Sequence, residues 1–278
     1  MYELICKRVL ADNITLLQIS APRIARKAKP GNFIILRVHE KGERIPLTIC
    51  DSDPETGLIT LIFMETGKTT MDLAALELGD RILDVMGPLG NELEIENYGT
   101  VVVIGGGIGT AVAYPEAKAL SKAGNNVISI VGARNKDLLI LEDEMDEISS
   151  KLYITTDDGS KGHNGFVTDV LRKLIDDGTE IDLITAIGPP IMMKVICYLT
   201  RPHGLKTIVN LNPLMLDGTG MCGGCRVSVG GTTLFACVDG PSFDGHQVDF
   251  HELMSRLQTY RPEESTSLEH ACRLAGVK

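Results

Sequence analysis

The sequence predicts a mixed β plus α/β chain, in which an antiparallel barrel precedes a parallel-sheet domain and a small cysteine-rich module. Three observations predict this order. Short strand-like runs separated by turns fill residues 1–98, strand-like and helix-like runs alternate over residues 99–210, and glycine and cysteine dominate residues 211–250. A tail, residues 251–278, begins with a helical turn or two and then becomes polar. The chain has 278 residues, 44% of them hydrophobic, which suffices for the cores of two ordinary domains.

The first zone has the pattern of a small antiparallel barrel. Runs rich in β-branched and apolar residues occur at 15–19, 33–38, 58–63 and 81–85. Turn signals such as Lys29-Pro30-Gly31 separate them. Several short strands at this spacing are typical of a barrel rather than of a helical bundle.

The middle zone has the pattern of a parallel sheet covered by helices. A continuous apolar strand at 101–104 is followed by a helix-like stretch at 111–123 and another strand at 127–131. Further strands are predicted at 152–156 and 183–187, and further helices at 166–176 and 191–199. Strands that are apolar throughout and alternate with helices indicate a sheet buried on both faces.

A glycine-rich loop stands between the first strand and the first helix of this zone. It reads Gly105-Gly106-Gly107-Ile108-Gly109-Thr110, with Thr110 where the last glycine of a strict dinucleotide fingerprint would stand. Glycines let the backbone approach a pyrophosphate, whose charge is then met by the start of the helix. The loop therefore predicts a nucleotide site, and the alternative is a simple strand-to-helix turn.

Two other loops are expected at the same edge of the sheet. One contains Arg134, which would face either the ribose or a phosphate of the nucleotide, or else remain a solvated surface charge. The other is Gly188-Pro189-Pro190, with Met192 close behind. The acidic run at 142–144 would disfavour the extra phosphate of NADP if it lay nearby, so the sequence favours NAD(H), although such a run is usually a solvated face.

The cysteine-rich segment carries the strongest local signal. Asp217, Cys222, Cys225 and Cys237 follow a D-x4-C-x2-C-x11-C spacing, with an aspartate where plant-type [2Fe–2S] proteins have their first cysteine. A structural zinc site and a set of free thiols are the two alternatives. The sequence favours the [2Fe–2S] cluster, and a carboxylate ligand would shift its reduction potential.

Composition excludes several classes of function. A formal charge of −10 leaves no basic patch for nucleic acid. No stretch approaches the ~18 apolar residues needed to span a membrane. The N-terminus does not resemble a signal peptide, and seven cysteines make a disulfide framework improbable. We therefore expect a cytoplasmic protein that engages neither nucleic acid nor membrane.

Taken together, the barrel, the nucleotide loops and the cysteine spacing resemble the ferredoxin–NADP reductase superfamily. The chain is most similar to the branch that holds the electron-transfer subunit of dihydroorotate dehydrogenase, the sulfide dehydrogenase beta subunit and the small subunit of NADH-dependent reduced ferredoxin:NADP oxidoreductase. The resemblance reaches about residue 250. The aspartate followed by Gly-Thr-Gly-Met-Cys-Gly-Gly-Cys is similar to the latter two.

The resemblance implies an FAD site on the barrel and a nicotinamide site on the sheet. For FAD it implies Arg44, Pro46, Leu47 and Thr48, with Leu47 in place of the usual tyrosine, and a second loop of Gly67, Lys68, Thr69 and Thr70. For the nicotinamide nucleotide it implies Gly105, Gly107, Ile108, Gly109, Thr110, Gly188, Pro189 and Met192, to which the expected loop at the same sheet edge adds Arg134. Since Ile187 stands where the family often has a cysteine, no catalytic thiol is expected there. No other catalytic side chain is expected, because the cofactors would carry the chemistry.

The implied function is that of an oxidoreductase subunit that carries electrons between NAD(H), FAD and a [2Fe–2S] cluster. The partner implied is a larger flavin and iron–sulfur subunit in a heterodimer, and the activity implied is an electron-bifurcating ferredoxin:NADP transhydrogenase with this chain on the NADH side. The alternatives are the electron-transfer subunit of dihydroorotate dehydrogenase and a non-catalytic scaffolding subunit stabilised by zinc.

Overall fold

Residues 1–274 are described by the computed structural model, with side chains described as far as residue 269. The first zone folds into two antiparallel sheets around one apolar core. Its elements are β1 (Tyr2–Ala11), β2 (Ile14–Ser20), α1 (Pro22–Ala25), β3 (Phe33–Arg37), β4 (Ile45–Thr48), β5 (Asp51–Asp53), β6 (Leu58–Met64), α2 (Lys68–Ala74), β7 (Arg81–Ile82) and β8 (Asp84–Leu89). The strand orders are β5-β6-β2-β1-β7 and β4-β3-β8.

Inward-facing side chains from alternate strand positions form the apolar core of this zone. Leu17, Ile34 and Leu61 are fully buried in it, because every second residue of a strand faces inward. The run at 81–85, predicted as one strand, is split at Leu83. β7 pairs with β1, whereas β8 pairs with β3, so the chain passes from one sheet to the other there.

The middle zone is built on a parallel sheet. Its strands are β9 (Thr100–Gly106), β10 (Asn126–Ala133), β11 (Lys151–Thr156), β12 (His163–Asn164), β13 (Leu183–Ile187) and β14 (Thr207–Asn210). Its helices are α3 (Thr110–Lys122), α4 (Glu142–Ile148), α5 (Val167–Asp176) and α6 (Pro190–Thr200), with single 3-10 turns at Gly107–Gly109, Lys136–Leu138 and Arg201–His203. The strand order reverses between β9 and β13, and ligands of such sheets bind where the order reverses.

The cysteine-rich segment joins the edge of this sheet. It contains the hairpin of β15 (Arg226–Val229) and β16 (Thr232–Phe235), followed by β17 (Ser242–Asp244). β17 pairs antiparallel with β14, with Ser242 opposite Asn210. The sheet therefore has seven strands in the order β12-β11-β10-β9-β13-β14-β17.

The tail is more ordered than the sequence suggested. It forms α7 (Phe250–Arg256) and then α8 (Arg261–Leu274), which packs against α2 of the first zone. We expected only a turn or two of helix, because the polar composition of α8 gives no apolar stripe by which to recognise a packed helix. One of the seven cysteines, Cys272, lies outside the residues whose side chains are described.

A shared cluster fixes the first zone against the parallel sheet. Ile14 of β2 and Cys50, which lies between β4 and β5, pack with Ala111 of α3 and with Ile140. The Lys118 ammonium on α3 donates to the Asp51 carboxylate at 2.9 Å. Within the described residues, no helix is long and apolar enough to cross a membrane.

Candidate functional site

The predicted glycine loop lies at the carboxyl end of β9, at the point where the strand order reverses. A Cβ atom on Gly109 would collide with the carbonyl oxygen of Ile187, so only glycine allows this loop to approach β13. Thr110 opens α3 and is 1% exposed, and its hydroxyl has no hydrogen-bond partner in the described part of the chain. A buried, unpaired hydroxyl beside a helix start fits a site for an anionic group.

The second glycine loop faces the first. The Met192 side chain lies over both Gly106 and Gly188, and a Cβ on Gly188 would stand 2.6 Å from its methyl carbon. Pro189 directly precedes α6, which begins at Pro190. The structure thus brings together the predicted residues at 105–110 and at 188–192.

Arg134 follows β10 at the same edge and is exposed. Its carbonyl accepts a hydrogen bond from the Asp158 amide at 3.2 Å, and the Asp157 amide donates to Ala133 at 3.1 Å. Hydrogen bonds from Ser160 lower the pKa of the Asp158 carboxyl, which therefore carries its charge. Asp157 and Asp158 were not singled out from the sequence, although an Asp-Asp-Gly run directly after a buried strand was a usable signal.

Two more features belong to this edge. Phe166 precedes α5 with 60% of its surface exposed, which leaves an aromatic face open beside the loop after β11. Of the acidic run considered above, Glu142 pairs with Lys161 at 2.6 Å. The run therefore does lie next to the loop at 157–162, with one of its charges already paired.

The predicted flavin strand is β4, which pairs with β3. Leu47 stands opposite Ile34, Pro46 opposite Ile35 and Thr48 opposite Phe33, and all three β4 residues are half-buried. Arg44 precedes the strand, is exposed, and makes no ion pair or hydrogen bond within residues 1–269. Its guanidinium is therefore available to an anionic ligand.

The second predicted flavin loop caps α2. The Thr70 hydroxyl accepts from the Gly67 amide at 3.0 Å and donates to the Gly67 carbonyl at 2.9 Å. The Lys68 ammonium donates to the Asp72 carboxylate at 3.1 Å, and Thr69 is buried. Local contacts thus occupy the polar groups of Lys68 and Thr70, and no hydrogen bond among the described residues joins this loop to β4.

The four residues of the cysteine segment form two adjacent pairs. Asp217 accepts from the amides of Thr219 and Cys222, at 3.0 and 2.8 Å. Cys225 and Cys237 are both 1% exposed, and their sulfur atoms lie 3.2 Å apart, whereas Cys222 is at the surface. Among the described side chains, no three His, Cys, Asp or Glu residues converge in a metal-ligand geometry.

The two pairs nevertheless share one environment. Burial, with smaller contributions from Cys225 and from the Asp217 charge, raises the pKa of the Cys237 thiol to about 12. The Asp217 carboxylate accepts from the Cys222 amide and acts on Cys237 electrostatically, so the two pairs are neighbours within the cysteine segment. Three thiols and one carboxylate in a glycine-rich loop are a donor set that suits iron–sulfur or zinc chemistry.

The cysteine segment is seated on the sheet that carries β4. A Cβ on Gly218 would lie 2.6 Å from the Leu89 side chain and 2.9 Å from that of Ile35, and the φ of Gly218 is +72°. Ile35 is the residue opposite Pro46. The segment therefore lies one strand away from the predicted flavin strand.

Comparisons with known proteins agree with this architecture. The family described as the iron-sulfur cluster binding domain of dihydroorotate dehydrogenase B matches residues 212–249. The chain is 50% identical over 274 residues to a dihydroorotate dehydrogenase B (NAD(+)) electron transfer subunit homolog of Thermotoga maritima, covering 99% of this chain and 96% of the relative. It is 34% identical to the dihydroorotate dehydrogenase B (NAD(+)) electron transfer subunit of Geobacillus thermodenitrificans, covering 88% and 96%.

Solved structures give a similar picture. A chain of the NADH-dependent reduced ferredoxin-NADP oxidoreductase structure, described for flavin-based electron bifurcation, superposes with a TM-score of 0.92 at 50% identity and covers 97% of both chains. Phthalate dioxygenase reductase, at 16% identity, superposes with a TM-score of 0.61 over 82% of this chain and 85% of that one. The second likeness shows a common fold alone.

Proposed function

Because this chain belongs to the family of dihydroorotate dehydrogenase B electron-transfer subunits and their homologues, we propose that it carries electrons between NAD(H), FAD and a [2Fe–2S] cluster. We place it on the NADH side of an electron-bifurcating ferredoxin:NADP transhydrogenase. The observation that carries the proposal is the contact of the cysteine segment with Leu89 and Ile35, on the sheet that contains β4. Two electron carriers held on one small sheet can exchange electrons without a moving domain.

NAD(H) is assigned to the carboxyl edge of the parallel sheet. The loops at 105–110 and 188–192 would let the backbone approach the pyrophosphate, with the Thr110 hydroxyl as a donor. Phe166 offers a face to the adenine ring, and Asp157 and Asp158 suit ribose hydroxyls. Since both carboxylates would repel a 2′-phosphate, we assign NAD(H) rather than NADP(H).

FAD is assigned to the barrel. Arg44 has a free guanidinium for the pyrophosphate, and β4 offers the side chains of Pro46 and Thr48 to the ring system, whereas Leu47 packs against the barrel core and supports the strand. The amides at 67–70 lie at the start of α2. When bound, the flavin supplies the conversion between hydride transfer and single-electron transfer, and the chain supplies the order and spacing of the carriers.

The cluster is assigned to Asp217, Cys222, Cys225 and Cys237. The buried sulfur atoms of Cys225 and Cys237 are already in contact, and Asp217 adds a carboxylate. A zinc site would use the same donors, which makes metal analysis decisive.

The partner subunit is assigned to the surface around Cys222. Met86, Leu214, Leu216 and Met221 are all exposed there, Met221 at 88%. Exposed apolar side chains beside a redox site are typical of an interaction surface. A heterodimer with a larger flavin and iron–sulfur subunit would cover them.

The test is an anaerobic absorption spectrum of the purified protein, with flavin, iron, sulfide and zinc measured on the same sample. One flavin, two irons and two sulfides per chain are expected. Zinc without flavin would refute the proposal and favour a scaffolding subunit. In a reconstituted complex, turnover of dihydroorotate would favour the second candidate, the electron-transfer subunit of dihydroorotate dehydrogenase, which the 34% identical relative supports.

A further inference from the structure

The end of β8 touches both stretches that carry the predicted cluster ligands. Leu89 lies against Gly218, the residue after Asp217. Two residues further on, the Asn91 amide donates to the Gly240 carbonyl at 2.7 Å, and the Asn91 side-chain amide donates to the Val238 carbonyl at 3.1 Å. Val238 directly follows Cys237, so Asn91 holds the backbone beside a buried ligand.

Asn91 is itself held from the barrel side. The preceding carbonyl, of Gly90, accepts a hydrogen bond from the Asn32 side chain at 3.0 Å. Asn32 is only 6% exposed, and its side-chain oxygen accepts from the Lys29 amide at 2.9 Å. A buried asparagine whose side-chain oxygen and NH2 group are both hydrogen-bonded is held rigidly, because leaving either group without a partner costs free energy.

The cysteine stretch is held from its other side by the parallel sheet. The Leu211 amide donates to the Pro241 carbonyl at 2.9 Å, just beyond the pairing of Asn210 with Ser242. The sheet therefore fixes residues from 241 onward, whereas Asn91 fixes residues 238–240. Among the hydrogen bonds between described residues, those of Asn91 join residues 238–240 to the end of β8, while the amides of Val238 and Asp239 donate within the cysteine stretch to the Phe235 carbonyl.

We propose that Asn91 is a positioning residue that sets the separation between the barrel-bound flavin and the cysteine site. The inference rests on the proposed function, since it assigns the flavin to the barrel and the cluster to Cys237. Asn91 acts through the backbone of residues 238–240 and touches neither reacting group. Its removal should slow electron transfer between flavin and cluster and leave hydride transfer from NADH to the flavin unchanged.

The first test measures the anchor itself. Asn91→Ala and Asn91→Asp both remove the side-chain donor to the Val238 carbonyl and keep the backbone amide, and Asn91→Asp nearly keeps the side-chain volume. The neighbouring Glu92→Ala, which breaks only the exposed ion pair with Lys29, is the matched control. Amide hydrogen exchange around residues 238–240 should accelerate about two- to tenfold in both Asn91 variants, as expected for the loss of one hydrogen bond, and should not change in Glu92→Ala. Equal exchange in all four proteins would overturn the proposal.

The second test uses stopped-flow reduction of the cofactor-loaded protein by NADH. Flavin reduction should match the wild type in both Asn91 variants, and the following cluster reduction should be slower. Parallel slowing of both steps, or of neither, would refute the positioning role alone. A wild-type chain that takes up no flavin and no cluster would instead refute the proposed function and, with it, the positioning of electron transfer.

Discussion

Glu116 is a carboxyl group buried between α3 and the parallel sheet, and its replacement by glutamine tests the electrostatics of the interior. The side chain is 1% exposed. Its carboxylate accepts one long hydrogen bond, of 3.4 Å, from Asn210 on β14. Burial raises the pKa of Glu116 to about 7, against the opposing effects of Asn210 and Thr185, and no charged group contributes.

The sign and size of the effect follow from this pKa. The folded chain keeps a proton on Glu116 between pH 4.5 and 7, whereas the unfolded chain releases it, so stability falls as the pH rises through this window. Each pKa unit corresponds to about 1.4 kcal/mol, which gives a loss of about 3 kcal/mol once the group is ionised. Glutamine stays neutral and still accepts from Asn210.

The assay is chemical denaturation of wild type and Glu116→Gln from pH 5 to pH 8.5. The two proteins should have similar free energies of unfolding at pH 5, and the variant should be more stable by about 3 kcal/mol at pH 8. The exposed Glu147→Gln is the matched control and should show no such divergence. A difference between wild type and Glu116→Gln that is the same at both pH values would refute the reasoning.

Three further variants test the site. Asp217→Ala should alter the electron paramagnetic spectrum of the reduced cluster, because the ligand set loses its only carboxylate; an unchanged spectrum removes Asp217 from that set. Replacing Asp157 and Asp158 by serine should shift the ratio of kcat/KM for NADPH over NADH upward by about tenfold, equivalent to about 1.4 kcal/mol, and a constant ratio would contradict their role in excluding the 2′-phosphate. Gly109→Ala should lower the free energy of unfolding by about 1–3 kcal/mol in denaturant titrations, because its methyl group meets the Ile187 carbonyl; Gly67→Ala, where nothing lies within 4 Å, is the control, and equal losses in the two variants would argue against the contact.

The fold and family predicted from the sequence are confirmed, and local pattern explains why. The strands predicted at 101–104, 127–131 and 183–187 are found within one or two residues, because an apolar run bounded by turns leaves little choice of structure. The glycine loops and the cysteine spacing are also local signals, each recognisable within one short stretch of sequence. The roles of the individual predicted site residues remain predictions.

Features that depend on contacts between residues far apart in the sequence could not be predicted. The split of the run at 81–85 depends on which strand each half meets, and the contact of α8 with α2 joins the C-terminal tail to the first zone. Glu116 stands in a Tyr-Pro-Glu-Ala-Lys stretch that has the composition of an exposed helix face, and only the position of β14 shows that it is buried. The hydrogen bond from Asn91 to Val238 likewise joins residues 147 positions apart.

The pairing of β17 with β14 determines how separable the cysteine segment is. A chain cut after residue 210 would leave the backbone groups of Ile208 to Asn210 without the partner they have in β17. Bare edges of this kind template association with other chains. The cysteine segment therefore cannot be removed without exposing a sheet edge. We expect a shortened chain of residues 1–210 to aggregate rather than to remain a monomeric NADH:flavin reductase.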